Sequence, residues 1–327
     1  MFAIMASMRK KFLITSLIVT VFFAFLYVSH QSHSIYGGDS GDLVSAAYTG
    51  GIAHPPGYPL YTAIGHILTK VVSYGTPAWQ ITLLSSLSLT AAMGVLTLYS
   101  LLTYRSVLPS IIGVASLGLT YIYWLYASVP EVFGLHILFL TLQLLTLKMW
   151  EITYHQKWLL FFVFLFVVSV FHHQIILFMV PAYLYFFIQH EKKAVSFVQS
   201  ARIKIIAISA IALIPLLYFA ISIPNLAGYT WEDTLSLSNV IKIITRSTYG
   251  SFTSALIILE KPLSRLTDVY AYFVFLVEDF GPMGAVLALV GAASDFIRRR
   301  RLFNFHSLIF FCTGPLFFFL WCLYFEQ

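Results

Sequence analysis

Long apolar runs, separated by short polar segments, recur from one end of the chain to the other. A helix needs about 20 apolar residues to cross the hydrocarbon core of a bilayer. On that measure the pattern predicts nine membrane spans, near 12–29, 80–103, 108–127, 132–150, 158–171, 174–189, 205–222, 282–297 and 305–323. The stretch 158–189 is long enough for two crossings and breaks at His172-His173. The stretch 264–281 fits either an interfacial helix or the first part of a long broken helix ending at Arg298. Two loops are long, 30–79 and 223–265, and long loops in compact proteins are usually functional or disordered. The first holds an amphipathic stretch, 59–74, predicted to lie along the membrane interface; the second holds Trp231 and a helical run at 237–246. No repeat or soluble domain stands out. The expectation is one all-α polytopic membrane domain over residues 1–327.

Composition agrees with the pattern. The chain is 59% hydrophobic and 10% charged, against roughly 25% charged in soluble domains, with a mean hydropathy of +0.86. Aromatic residues reach 17%, which suits lipid-facing helices with interfacial anchors. A net charge of +6 would suggest a nucleic-acid partner in a soluble protein. Here the Lys/Arg bias of cytoplasmic loops explains it. Arg9, Lys10 and Lys11 precede the first span and place the N-terminus in the cytoplasm. Fourteen of the 19 basic residues then share that side, including Arg298 to Arg301, with only Glu151, Glu191 and Asp295 of the 13 acids. The first span, about 17 apolar residues long, exceeds the 7–15 of a signal-peptide core and reads as a retained anchor. Cys312 and Cys322 lie in an apolar run and indicate neither a disulfide framework nor a zinc site.

Four polar motifs emerge on the outward face of this topology. Gly37-Gly38-Asp39-Ser40-Gly41-Asp42-Leu43 leads to His54-Pro55-Pro56-Gly57-Tyr58-Pro59. Asp39 and Asp42, three residues apart on a glycine-rich turn, suit a base and its partner; a helix cap with a capping-box acid fits as well. His54 to Pro59 also fits a rigid turn. In the second motif, Glu131 stands at a helix N-terminus, favoured there by the macrodipole, with His136 deeper in the helix. A helix start and a packed histidine explain that pair equally well. Third, Phe171-His172-His173-Gln174 puts adjacent polar side chains at the edge of the hydrocarbon, where they must face protein, water or substrate. A shared metal ion is disfavoured, because helical neighbours point about 100° apart. Fourth, Arg246-Ser247-Thr248-Tyr249-Gly250-Ser251-Phe252 sets a guanidinium beside hydroxyls, which suits a phosphate or a snorkelling interfacial arginine. Their gathering on one face favours a shared site, suited to a lipid-linked substrate.

These residues carry a resemblance. Gly38-Asp39-Ser40-Gly41-Asp42-Leu43, Ala53-His54-Pro55-Pro56-Gly57-Tyr58-Pro59-Leu60, Glu131-Val132-Phe133, His173, and Arg246 with Tyr249-Gly250-Ser251-Phe252 resemble motifs of the transmembrane-protein-260 family of protein O-mannosyltransferases. That family belongs to the GT-C superfamily of membrane glycosyltransferases. Phe171, Pro130 and the aspartate at position 42 depart from its usual residues, and the chain stops at Gln327 where members continue. A truncated or prokaryotic member is therefore expected. The resemblance implies inverting transfer of a sugar, mannose by expectation, from a polyprenyl-phosphate sugar to a protein Ser/Thr or other hydroxyl acceptor, protein or glycan, outside the cytoplasm. It implies Asp39 as base, Asp42 or Glu131 orienting the acceptor or stabilising charge on the sugar, and Arg246 with His173 and His54 on the phosphate. Tyr58, His172 and Tyr249 complete the substrate-binding set. The acids leave room for a divalent cation but supply no distinct ligand set. The rival readings are a lipid-sugar flippase or solute transporter, and an inactive scaffold derived from the enzyme. The membrane would be the plasma membrane of a prokaryote or the endoplasmic reticulum of a eukaryote.

Overall fold

Apolar runs of this length must satisfy their own backbone polar groups in lipid, and helices do so within one segment. The computed structural model describes residues 2–222, 229–231, 236–247 and 262–317. Among these the chain is helical, with one isolated parallel bridge between Ile52 and Thr230. The helices are α1 (Phe2–Ser29), α2 (Ser40–Thr49), α3 (Pro59–Val71), α4 (Pro77–Tyr104), α5 (Val107–Gly118), α6 (Tyr121–Ser128), α7 (Phe133–Thr153), α8 (Gln156–His172), α9 (Val180–Gln189), α10 (Glu191–Ala212), α11 (Tyr218–Ser222), α12 (Leu237–Thr245), α13 (Pro262–Arg298) and α14 (Arg300–Thr313). Short 3₁₀ turns at Gln174–Met179 and Ile214–Leu217 precede α9 and α11.

Five helical stretches among the described residues are long and apolar enough to cross a membrane: Lys10–Ser29, Pro77–Tyr104, Phe133–Thr153, Glu191–Ala220 and Leu266–Arg298. The nine expected spans resolve differently for local reasons. The expected span 108–127 is two helices, α5 and α6, bent by 64° around Leu119 and Thr120, and becomes a sixth crossing only if the pair counts as one. The run 158–189 breaks where expected: α8 ends at His172, His173 is extended, and a 3₁₀ turn follows. That break leaves α8 at 17 residues. The stretch 264–281 forms the first part of the long α13, which changes direction at Gly281-Pro282, where Gly281 has φ 67°. Pro282 cannot donate a backbone hydrogen bond there. The predicted stretches 59–74 and 237–246 are α3 and α12.

The chain divides into two compact units. Unit one holds residues 1–174 and 201–246. In it α4 is the central helix, packed against α1 and α7, and α8 lies against α7. One apolar cluster joins α2, α3, α4, α7 and α8 through Leu43, Tyr61, Ile81, Leu135, Phe139 and Leu165. Another joins α1, α4, α5 and α6 through Phe23, Tyr27, Leu89, Met93 and Val114. Polar side chains stitch the helices where lipid offers no hydrogen bonds. Gln143 donates to Ser169 between α7 and α8, and Gln31 donates to Ser86 of α4. Unit two holds residues 175–200 and 247 onward. There Asn304 of α14 donates to the Tyr185 hydroxyl of α9, and Phe305 packs on Phe186.

The closest approach of α4 and α7 bears on everything that follows. A Cβ added at Gly134 would stand 2.8 Å from the Ser85 carbonyl oxygen, so only glycine lets the two backbones meet there. Ser85 uses that proximity: its hydroxyl donates to the Glu131 carbonyl at 2.8 Å, and it accepts from the Glu131 N–H at 3.0 Å. Gly134→Val is expected to push the helices apart and destabilise the protein by about 1–3 kcal/mol, the cost of overpacking. The drop in thermal unfolding midpoint of the detergent-solubilised protein measures it.

Candidate active site

Asp39 is the residue before α2 and Asp42 sits in its first turn. Neither side chain caps the helix: the position-39 cap makes no side-chain hydrogen bond, and Ser40 accepts from the Tyr36 N–H instead. Asp42 turns to the following loop. Its Oδ2 accepts from the His54 backbone N–H at 3.0 Å and faces His54 Nδ1 at 2.6 Å. With Nδ1 held by Asp42, the opposite ring nitrogen, Nε2, faces Asp39 Oδ2 at 3.5 Å. His54 is thus a bridge between two carboxylates, one 13% exposed and the other 57% exposed. Burial alone would raise the Asp42 carboxyl, but hydrogen bonds from His54 and Tyr229 outweigh it and hold the group below the usual range.

The loop after His54 delivers the next residue. Gly57 and Tyr58 both take the left-handed backbone conformation, φ 82° and 40°, which folds the chain back into α3. Tyr58 is buried with its ring 5.1 Å from that of His54 and about 6 Å from those of His172 and His173. Burial pushes its phenol well above its ordinary value, so it stays protonated.

Glu131 lies two residues ahead of α7, 8% exposed. Gly38, with φ 69°, brings the chain past it: a Cβ there would be 3.9 Å from Glu131 Oε1. Burial, then repulsion from Asp39, pushes the Glu131 carboxyl up to about 8. His172 Nε2 meets the Val132 carbonyl at 3.1 Å and so carries the proton, leaving Nδ1 as an acceptor. His136 was open between a place in the Glu131 motif and a packed helix residue. Its ring is 5.3 Å from that of His173, which also lies 5.3 Å from Phe133. Nothing in the turn-and-a-half offset of His136 from Glu131 marks it, because its neighbour is His173, the extended residue after α8.

Arg246 ends α12 in a left-handed conformation, close enough to Tyr58 and His173 for its charge to act on both. Gln174 holds α12 in place by donating to the Ile244 carbonyl at 2.7 Å. Trp231 joins the far side, its ring 6.1 Å from that of His54, on a segment paired with Ile52. A Cβ at Gly51 would overlap the Tyr229 carbonyl, so the pairing requires glycine there. Asp39, Asp42, His54, Tyr58, Glu131, His172, His173 and Arg246 therefore form one neighbourhood in unit one; Tyr249 lies outside the described residues.

Four buried polar atoms here have no hydrogen-bond partner among the described residues: Asp42 Oδ1, Glu131 Oε2, His136 Nδ1 and His172 Nδ1. Such groups are costly to bury unsatisfied. Their concentration beside an exposed carboxylate suits a site that receives a polyhydroxylated ligand. Among the described residues no group of three or more His, Cys, Asp or Glu side chains is arranged to hold a metal ion.

Residues 39–196, which contain all of these motifs except the 229–246 segment, match the family described as the Protein O-mannosyl-transferase TMEM260 N-terminal domain. Over that segment the chain is similar to this family. It is 27% identical over 297 residues to Protein O-mannosyl-transferase tmem260 of Dictyostelium discoideum, covering 81% of this chain and 34% of the relative. It is 29% identical over 231 residues to the Mus musculus protein of that name, covering 68% and 32%. The chain spans about a third of the length of these curated relatives. No solved structure matches it.

Glu131 gives the site a pH signature. Its folded-state pKa lies above that of an unfolded glutamate, so folding favours the neutral form. The contribution is complete below about pH 4.5 and is lost as pH rises through about 8. Glu131→Gln is expected to remove this decline. A thermal unfolding series from pH 5 to 9 would show a flatter profile for the variant than for wild type.

Proposed function

We propose that this TMEM260-like chain transfers a mannosyl group from a polyprenyl-phosphate sugar to a Ser/Thr hydroxyl of a protein, on the extracytoplasmic side of its membrane. The relatives' names supply the reaction class, and one observation carries the reading: an exposed carboxylate, Asp39, faces a histidine that a second carboxylate has fixed in place.

Asp39 takes the proton of the acceptor hydroxyl as its oxygen attacks the anomeric carbon. The bond from that carbon to the phosphate oxygen breaks with inversion, and the polyprenyl phosphate leaves as an anion. A phosphate leaving group is stabilised without a strong general acid, whereas the hydroxyl needs a base. His54 acts through Asp39: its Nε2 faces the carboxylate, while Asp42 holds the ring's other side. This replaces the phosphate contact expected for His54 with a positioning role. Arg246 and His173 remain suited to the phosphate, as fixed positive charge and hydrogen-bond donor at the point where negative charge develops. Tyr58, protonated and buried between them, adds a donor. Neutral Glu131 offers hydrogen bonds to sugar hydroxyls. The Lys/Arg bias supports a cytoplasmic N-terminus and an outward site. The membrane is the plasma membrane in a prokaryote and the endoplasmic reticulum in a eukaryote.

The test is reconstitution of the protein in liposomes with labelled polyprenyl-phosphate mannose and a Ser/Thr peptide. Asp39→Asn is expected to lower kcat about 10²–10⁴-fold, the scale of general-base catalysis, while donor binding persists. Unchanged turnover in Asp39→Asn removes this base. Donor or sugar crossing the bilayer without transfer to peptide replaces the enzyme with a transporter.

A further inference from the structure

A groove of about 540 Å³ opens beside the candidate site, along α2. This volume falls within the roughly 300–1,000 Å³ of ligand clefts. Its walls include Ile35, Ser45, Tyr48, Thr49, Thr76 and Tyr229, all from unit one. None of its lining residues is a lysine, arginine, aspartate or glutamate.

Two features tie the groove to the reacting groups. The first is Tyr229, which lines the groove and whose side chain hydrogen-bonds Asp42. The backbone around it is fixed on both sides, since its N–H donates to Thr49 Oγ1 at 3.1 Å and its carbonyl accepts from the Ile52 N–H at 3.1 Å. The second is helical phase. Asp42, Ser45 and Thr49 are spaced i, i+3 and i+7 on α2, which places them in one row along a helix face. At 1.5 Å per residue the row runs about 10 Å from the Asp42 end. The groove therefore leads along α2 towards the carboxylates at its N-terminus.

We propose that this groove binds the acceptor as an extended, uncharged, hydroxyl-bearing polypeptide segment lying along α2, its reactive Ser or Thr at the Asp39 end. The assignment rests on the reading under Proposed function and extends it to the second substrate. The groove is built chiefly from the 30–79 loop, outside the membrane-crossing helices, with Pro77 and Ala78 at the start of α4. A lipid-linked donor arrives from the bilayer, so a groove formed by these outer segments suits the water-borne partner. The Ser45 hydroxyl donates to the Gly41 carbonyl and keeps its oxygen as an acceptor for a peptide N–H, the Ser34 hydroxyl also lies at the lining, and the half-exposed side chains of Ile35 and Tyr48 offer apolar and aromatic contact.

The experiment uses the full chain in nanodiscs with a fluorescent, uncharged Ser/Thr peptide. Ser45→Trp fills the groove and Tyr48→Ala removes its aromatic wall. Each is expected to raise the peptide KM at least about tenfold, with kcat at saturating peptide within about threefold and donor hydrolysis by water unchanged. A photoreactive benzoylphenylalanine in place of Tyr48 is expected to capture the peptide, and unlabelled peptide to compete. Unchanged KM in both variants, or capture of lipid rather than peptide at position 48, overturns the groove. If wild type transfers no sugar, the glycosyltransferase reading fails by itself. Capture at position 48 then decides the groove independently, with absence of capture overturning it.

Discussion

The pairing of Asp42 with His54 is the constraint on which the candidate site depends. One carboxylate oxygen receives both the backbone N–H and the ring nitrogen of the same residue, at 3.0 and 2.6 Å. Two bonds to one atom fix both the path of the 50–58 loop and the orientation of the imidazole. Hydrogen bonds to charged groups contribute about 1.5–3 kcal/mol each, enough to hold a loop that the glycines at 50, 51 and 57 leave conformationally free. From that anchor the ring turns its other side to Asp39, and the chain runs on to set Tyr58 against His172 and His173 at the end of α8.

The helical frame sets how close the other half can come. Gly134 lets α7 meet α4, and Ser85 then grips the Glu131 backbone from both its donor and its acceptor. Glu131 is left without freedom to reach water, and Asp39 lies close enough to add repulsion. Three acids thus meet three environments: Asp42 bound by donors, Asp39 half open, Glu131 enclosed. Perturbed and unlike carboxylates gathered in one place are a common mark of functional sites.

Much of the architecture was legible because lipid simplifies the code. Where no water is available, helix is the answer to every long apolar run, and the starts of α4 and α7, the break at His172-His173 and the helix at 237–245 followed from hydropathy and punctuation. Crossing counts were less legible. The 64° bend between α5 and α6 arises in a run whose composition is apolar almost throughout. The 264–281 stretch was open between two forms until α13 joined it across Gly281.

For the site, the residue types were legible in the sequence: two carboxylates on a glycine-rich turn, adjacent histidines between two apolar runs, an arginine at the end of a helical run. Local spacing allowed Asp39 and Asp42 to be read as helix caps, and only the tertiary structure decided otherwise, because the competing donor for Asp42 is twelve residues away in a loop. The same holds for His54, expected at a phosphate and found between two acids, and for His136, whose significance lies in a histidine at the end of another helix. Hydrophobic periodicity is a property of neighbours along the chain, so the sequence alone carries it. Which polar atom meets which is a property of neighbours in space, and that is decided where glycines and loop anchors let separate segments approach.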